Sequence, residues 1–187
     1  MAKPQITKEQ VEELVMKAQE GDTDAFAQVY DYFVDSIYRY ISFKVKREDA
    51  LDLTETVFLK VWENIRNYQH GQNFFSSWIF RIAHNVVVDH YRLSKEFLEL
   101  ESNIPDENKD VSPIYTTERK MGQETLKLAI SKLKKSYQQI ITLKYLNELE
   151  NHEIAQVLKK SEGSLRILKF RALKALKQVL EEMNIRY

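Results

Sequence analysis

Helix breakers are scarce in this chain: only four Gly and three Pro stand among its 187 residues. A turn-rich β fold needs such residues at most of its corners, so their scarcity directs the backbone toward helices. The apolar residues agree. Phe26, Val29, Tyr30, Phe33, Ile37, Tyr40 and Ile41 recur at three- and four-residue steps, which places them on one helix face. Leu53, Val57, Phe58, Val61 and Ile65 repeat the pattern, as do Trp78, Ile79, Ile82, Ala83 and Val86. A first amphipathic helix is expected over 8–19, ended by Gly21, with Asp22 or Thr23 capping a second that runs to about Val45. A third is expected over 49–65. A polar loop, 67–73, precedes a fourth over about 75–94.

From 96 to 119 the periodicity fades. Glu96, Glu99, Glu101, Asp106, Glu107, Asp110 and Glu118 accumulate, and Pro105 and Pro113 punctuate the stretch. It reads as an acidic linker, mostly without regular structure. Beyond it the helical pattern resumes. One helix carries Leu126, Ala129, Ile130 and Leu133, and the next carries Tyr137, Ile140, Ile141 and Leu143. A short third runs from 151 to 158 with Asn151 as a plausible N-cap, and a last one from 161 to about 183. The expectation is an all-α chain of two small helical domains, 1–95 and 120–187, joined by the linker 96–119.

Composition excludes several functions. The chain has no Cys, which removes disulfides, thiolate nucleophiles and Cys-based zinc sites and fits a reducing cytoplasm. The N-terminus leads into polar sequence, so no signal peptide is expected. No apolar run nears the roughly 18 residues that span a membrane. His84 and His90 are not spaced to share a metal, and there is no H-E-x-x-H, G-x-S-x-G or phosphate-binding Gly loop. No enzyme, metal or cofactor is implied. Lys plus Arg and Asp plus Glu are both 28, so a nucleic-acid face must come from uneven placement of charge.

Two segments show such placement. In 151–174 a short helix, a tight connection at Lys159-Lys160-Ser161 and a long helix form a helix-turn-helix pattern. Ser161 can cap the long helix, and Glu162 suits its positive end. Arg166, Lys169, Phe170, Arg171, Lys174 and Lys177 lie on one side; Leu165, Leu168, Ala172, Leu176 and Val179 lie on the other. Such a helix fits a major groove, where Arg reads guanine and Lys neutralises phosphate. The plainer alternative is a solvated Lys-rich terminal helix. In 67–95, Tyr68, Phe74, Phe75, Trp78 and Phe80 surround the loop and helix start, with Arg81, Asn85, His90, Arg92 and Lys95 following. Rings among basic and amide groups suit unstacked bases. For Trp78, Ile82 and Val86 core packing is the simpler reading, and for the cluster taken alone it is favoured.

Together the two segments resemble the extracytoplasmic-function (group IV) sigma factors of the sigma-70 family, over nearly the whole chain. Gly21-Asp22, Ala25-Phe26 and Tyr30 look like the family's opening helix, and Asp52-Leu53-Thr54 with Val57 to Trp62 its polymerase-binding helix. Trp78 to Asn85 and Asp89 to Arg92 are similar to the helix that melts and reads the −10 element. Tyr145-Leu146, Glu153-Ile154-Ala155 and Ser161 to Ser164 are similar to the −35-binding domain. The resemblance implies sigma region 2 over 1–95 and region 4 over 120–187. It implies that core RNA polymerase is bound through Asp52, Glu55, Phe58, Leu59 and Trp62. The −10 DNA would be bound through Tyr68, Phe74, Trp78, Arg81, Asn85, Arg92 and Lys95. The −35 DNA would be bound through Ser164, Arg166, Lys169, Phe170, Arg171 and Lys174. The implied partners are bacterial polymerase core and promoter DNA, as duplex and as non-template single strand; the family is often also held by an anti-sigma factor. The implied location is the cytoplasm. Leu51 stands where the family usually has an acidic residue, Glu55-Thr56 replaces a common Gln-Glu pair, and Lys159-Lys160 replaces a usual Gly and apolar residue in the turn. On the residues alone, a helix-turn-helix regulator acting without polymerase and a helical protein-binding adaptor remain alternatives.

Overall fold

The computed structural model describes residues 6–71, 74–100 and 118–183, and for 94–100 and 118–124 the backbone only. Among the described residues every regular element is helical. Helix α1 spans Lys8–Gln19, α2 Thr23–Ser42, α3 Arg47–Asn64 and α4 Phe75–Leu100. Helix α5 spans Glu118–Ser131, α6 Lys135–Ile141, α7 Asn151–Leu158 and α8 Glu162–Glu182.

The starts of these helices follow from local chemistry. Thr7 and Gln10 form a reciprocal cap on α1: the Gln10 N–H donates to Thr7 Oγ1 and the Thr7 N–H donates to Gln10 Oε1. Such an arrangement satisfies two otherwise orphaned donors. Gly21 then reverses the chain at φ +100, a conformation L side chains rarely adopt. Of the two expected caps for α2, Asp22 is the one used; its carboxylate accepts the Asp24 and Ala25 N–H groups, each at 2.9 Å. For α7 the expected cap, Asn151, is instead the first helical residue. The N-cap is Glu150, whose N–H donates at 2.6 Å to the carboxylate of Glu153, three residues on. Ser161 caps α8 as expected, accepting the Ser164 N–H at 3.3 Å.

Four other boundaries differ from expectation. α2 stops at Ser42, and α3 begins at Arg47. Helix α4 continues through Leu100, into the stretch expected mostly to lack regular structure, and α5 begins at Glu118, inside that stretch. The rest of it, 101–117, lies outside the described residues.

α1 to α4 close over Val15, Val29, Ile37, Ile41, Ala50, Val57 and Ile79, all essentially inaccessible. α5 to α8 close over Ala129, Ile130, Ile140, Leu143, Ile154 and Leu165. Each such Ile or Leu stabilises by about 1.5–3 kcal/mol through burial. After α6 the chain makes a π-helical turn, Thr142–Leu146, closed by the Asn147 N–H on Thr142 O and the Leu149 N–H on Leu143 O, both at 3.1 Å. This turn redirects the backbone into α7. The two helical units pack on each other, α7 against α4 and the π turn against α2, so that their cores are continuous.

Candidate functional site

Three exposed surfaces carry the residues singled out above. On α3, Asp52, Glu55, Leu59 and Trp62 form one solvent-facing stripe. Leu59 is 63% exposed, and Trp62 leans its ring edge on Phe26. Leu51 extends the apolar part of the stripe. Phe58 does not belong to it: the ring is buried and packs on Tyr30. It anchors α3 on α2 from within the core, and the residues of α3 that face solvent are its neighbours.

The second surface is built around the start of α4. Trp78, Arg81, Asn85 and Arg92 recur at helical spacing on one face. Asn85 and Arg92 are exposed, Arg81 and Trp78 half-buried. Tyr68 departs from its expected role. It is buried among Phe75, Trp78 and His70, and its hydroxyl donates to Glu12. Burial first, and then the Glu12 bond and charge, push its phenol well above the usual tyrosine range. A ring so enclosed cannot stack on a base. Phe74 is the exposed ring of the group; Phe75 and Phe80 are core. The Lys95 side chain lies outside the described residues, as do Gln72 and Asn73.

Sequence reading missed the residues that hold this region in shape. Glu12 and Gln19 of α1 reach across to it. Gln19 Nε2 donates to the carbonyls of Ile65 and Tyr68, both at 2.8 Å. On the far side of α4, His84 Nδ1 meets the Tyr40 hydroxyl at 3.3 Å. Burial and then the nearby Lys44 charge hold this imidazole below the usual histidine value. Lys44 is itself lowered to about 8 by burial, with its ammonium over the Tyr40 ring.

The third surface is α8. Ser164, Arg166, Phe170, Arg171 and Lys174 are exposed and Lys169 is half-buried, while Leu165 and Ala172 are buried against the core. The expected division into basic and apolar faces is therefore present. Phe170 is 70% exposed, on the basic face where it was expected; that Ile167 and Leu173 stand out beside it among the cations was not anticipated. Ser164 is committed to the cap, its hydroxyl donating to Ser161 O at 2.9 Å. A Cβ at Gly163 would meet nothing within 4 Å, so the helix start is open to solvent. The α7–α8 connection contains Lys159 in the left-handed region, φ 50 and ψ 49.

Polar and ring contacts flank the shared core where the units meet. Glu153 of α7, 1% exposed, accepts from Ser76 at the start of α4 and from Lys8 Nζ at 3.0 Å. Burial alone would push its carboxyl above the usual range. The bonds from Ser76, the Glu150 N–H and Lys8 outweigh burial and hold the carboxyl below the usual range. Beside it Phe74 packs on His152, and Lys8 sits over the Phe74 ring. Arg39 donates to Leu146 O at 2.6 Å, and Lys135 lies over the Tyr91 ring.

Among the described residues no cluster of three or more His, Asp or Glu could hold a metal, and no helix is long and apolar enough to cross a membrane.

Comparison with known proteins identifies both units. The family description Sigma-70 region 2 matches residues 29–96, and Sigma-70, region 4 matches 123–176. The chain is 34% identical to the ECF RNA polymerase sigma factor BldN of Streptomyces coelicolor, over 91% of this chain and 66% of that protein's length. It is 26% identical to the ECF RNA polymerase sigma factor SigW of Bacillus subtilis, over 92% of this chain and 98% of that protein. Two solved structures share the fold. CnrH, in complex with the cytosolic domain of CnrY, superposes with a TM-score of 0.70 at 20% identity, covering 90% of this chain and 96% of CnrH. The sigma factor RpoE of Bartonella quintana, in complex with the anti-sigma factor NepR, also gives 0.70, at 19% identity over 83% of this chain and 96% of that one.

Proposed function

The chain belongs to the extracytoplasmic-function branch of the sigma-70 family, and from that premise we propose that it directs RNA polymerase core to specific promoters and helps to open them. The observation that carries this reading is the pairing of region 2 and region 4 in one chain, each with a solvent-facing surface of the chemistry its task needs. The α3 stripe offers Leu59 and Trp62 as apolar anchors flanked by Asp52 and Glu55, a composition suited to docking on a basic protein surface. The α4 face offers Arg81 and Arg92 for phosphates and Asn85 for a base edge, with Phe74 as the ring nearest the loop. On α8, Arg166 and Arg171 suit guanine and phosphate, and Phe170 suits a thymine methyl in the major groove.

The packed arrangement has a consequence for the mechanism. A compact chain of this length has a radius of gyration of about 16 Å. The −10 and −35 elements lie about 25 base pairs apart, on the order of 85 Å of duplex. The units must therefore separate when both elements are held, and residues 101–117 can reach up to about 60 Å. An anti-sigma factor, as the family is often held, is proposed as a further partner, and the cytoplasm, where polymerase acts, as the location.

Arg171→Ala tests the assignment of α8. It should lower initiation at a cognate promoter about tenfold, within the 1–3 kcal/mol range of a base contact, while leaving affinity for polymerase core unchanged. Undiminished initiation would remove Arg171 from the reading.

A further inference from the structure

Helix α1 contributes none of the side chains assigned to DNA or polymerase, yet its Glu12 organises the residues around the start of α4. Glu12 sits on α1 one residue past buried Val11 and is only 25% exposed at its side chain. Its carboxylate gathers three donors from a segment more than fifty residues away. The Phe75 N–H donates to Oε1 at 2.8 Å. The Tyr68 hydroxyl lies 3.1 Å from Oε1 and 2.9 Å from Oε2. His70 Nδ1 lies 3.0 Å from Oε2.

These contacts fix both ends of the loop. Phe75 is the first residue of α4, and its N–H is one of the donors a helix start leaves without a partner. Glu12 supplies that partner from another helix and places a negative charge at the positive end of α4. Tyr68 and His70 mark the entry to the loop. On its other side His70 Nε2 lies 2.7 Å from Gln19 Oε1, and the Gln19 amide is oriented by its own bonds to Ile65 O and Tyr68 O. Both imidazole nitrogens thus face acceptors. Phe74, the exposed ring, is directly bonded to the residue whose N–H Glu12 holds.

We infer that Glu12 is a positioning residue for base capture during promoter opening: it clamps Tyr68, His70 and Phe75, and so holds the adjoining exposed ring of Phe74 where it can receive an unstacked base. The inference rests on the reading of this loop as the −10-melting element. Preorganisation is what makes it matter. A loop that must be ordered on binding spends part of its contact energy on that ordering, and a loop already held does not. Charge-assisted bonds to a half-buried carboxylate are of the stronger kind.

The test uses the full chain with polymerase core and a promoter mapped by run-off transcription, carrying 2-aminopurine in the non-template strand of the −10 element. Fluorescence reports unstacking, and core affinity is measured in parallel. Glu12→Ala, which removes all three contacts, should slow opening at least about tenfold, with core affinity within about twofold of the parent. Glu12→Gln, which keeps an acceptor for the Phe75 N–H, should recover part of the rate. Equal opening by the parent, E12A and E12Q would overturn the inference. So would a loss of core affinity matching the loss of opening, because it would mark Glu12 as merely structural. Should E12A fold poorly, the comparison of E12Q with the parent decides: opening by E12Q equal to the parent's overturns the inference, and a slower rate with core affinity kept supports it. Failure of the parent itself to unstack the base would strike the reading of the loop, and the inference with it.

Discussion

Lys159 offers a quantitative test of the helix-turn-helix geometry. It holds φ 50 and ψ 49 at the end of α7, where the family's turn usually has Gly. A non-Gly residue in this region carries a cost of about 1–2 kcal/mol. The closing bonds are backbone only: the Lys160 N–H donates to Ala155 O at 2.9 Å and the Lys159 N–H donates to Gln156 O at 3.4 Å. Lys159→Gly keeps both. Gly also raises the entropy of the unfolded chain, which offsets about 0.5–1 kcal/mol of the gain. The net expectation is a stabilisation of about 0.5–1 kcal/mol, or about 1–4 °C in Tm for a chain of this size. Native-state hydrogen exchange at the α7 and α8 amides reads it locally, without requiring both units to unfold together. Slower exchange there in K159G is the predicted result. Unchanged or faster exchange would refute the strain argument, and would mean that the Lys159 side chain contributes more than its backbone conformation costs.

Lys44→Met should stabilise the protein at pH 7 by on the order of 2 kcal/mol, because the lysine is lowered from 10.5 to about 8 by burial. In the parent, stability should rise as pH climbs from about 8 to 10.5, where the folded state binds fewer protons than the unfolded one; urea midpoints across that window should lose this slope in K44M. Glu153→Ala should loosen α7 from α4, seen as a longer spin-label distance between the two units in the free protein, and an unchanged distribution would argue that Glu153 does not hold them. Glu153→Gln should remove part of the stability lost on acidification, since a depressed carboxyl stabilises above its unfolded value and ceases to as pH falls through its folded one. Leu59→Ala with Trp62→Ala should weaken core binding at least tenfold by titration, as expected for apolar anchors, without changing DNA affinity of the free chain.

How much of this was legible in the sequence depended on the range of the interactions involved. The bounds of α1 and the caps Asp22 and Ser161 follow from neighbours within three residues, and the sequence pattern placed them well. The cap of α7 was misplaced by one residue, because a Glu cap is uncommon and depends on Glu153 reaching back to the Glu150 N–H. The amphipathic character of α8 was readable from its period. The exposed position of Phe170 also followed from that period, although the apolar trio it forms with Ile167 and Leu173 was not anticipated. The aromatic cluster was harder. Adjacent rings such as Phe74 and Phe75 differ in sequence position by one and in exposure by 41% against 0%. Only the seating of α4 decides which points outward. Core packing, the simpler reading for that cluster, holds for Tyr68, Phe75 and Phe80. Glu12 was beyond reach of any local pattern, because its partners are brought to it by the packing of α1 on the turn before α4.

As proposed, this chain gives RNA polymerase core the ability to start at particular promoters. Run-off transcription on genomic fragments, with core alone and with core plus the purified chain, tests it most directly. Transcripts with discrete mapped starts are expected only when the chain is present, with co-elution of the chain and core at low salt. Absence of co-elution, together with the same transcripts with and without the chain, would contradict it.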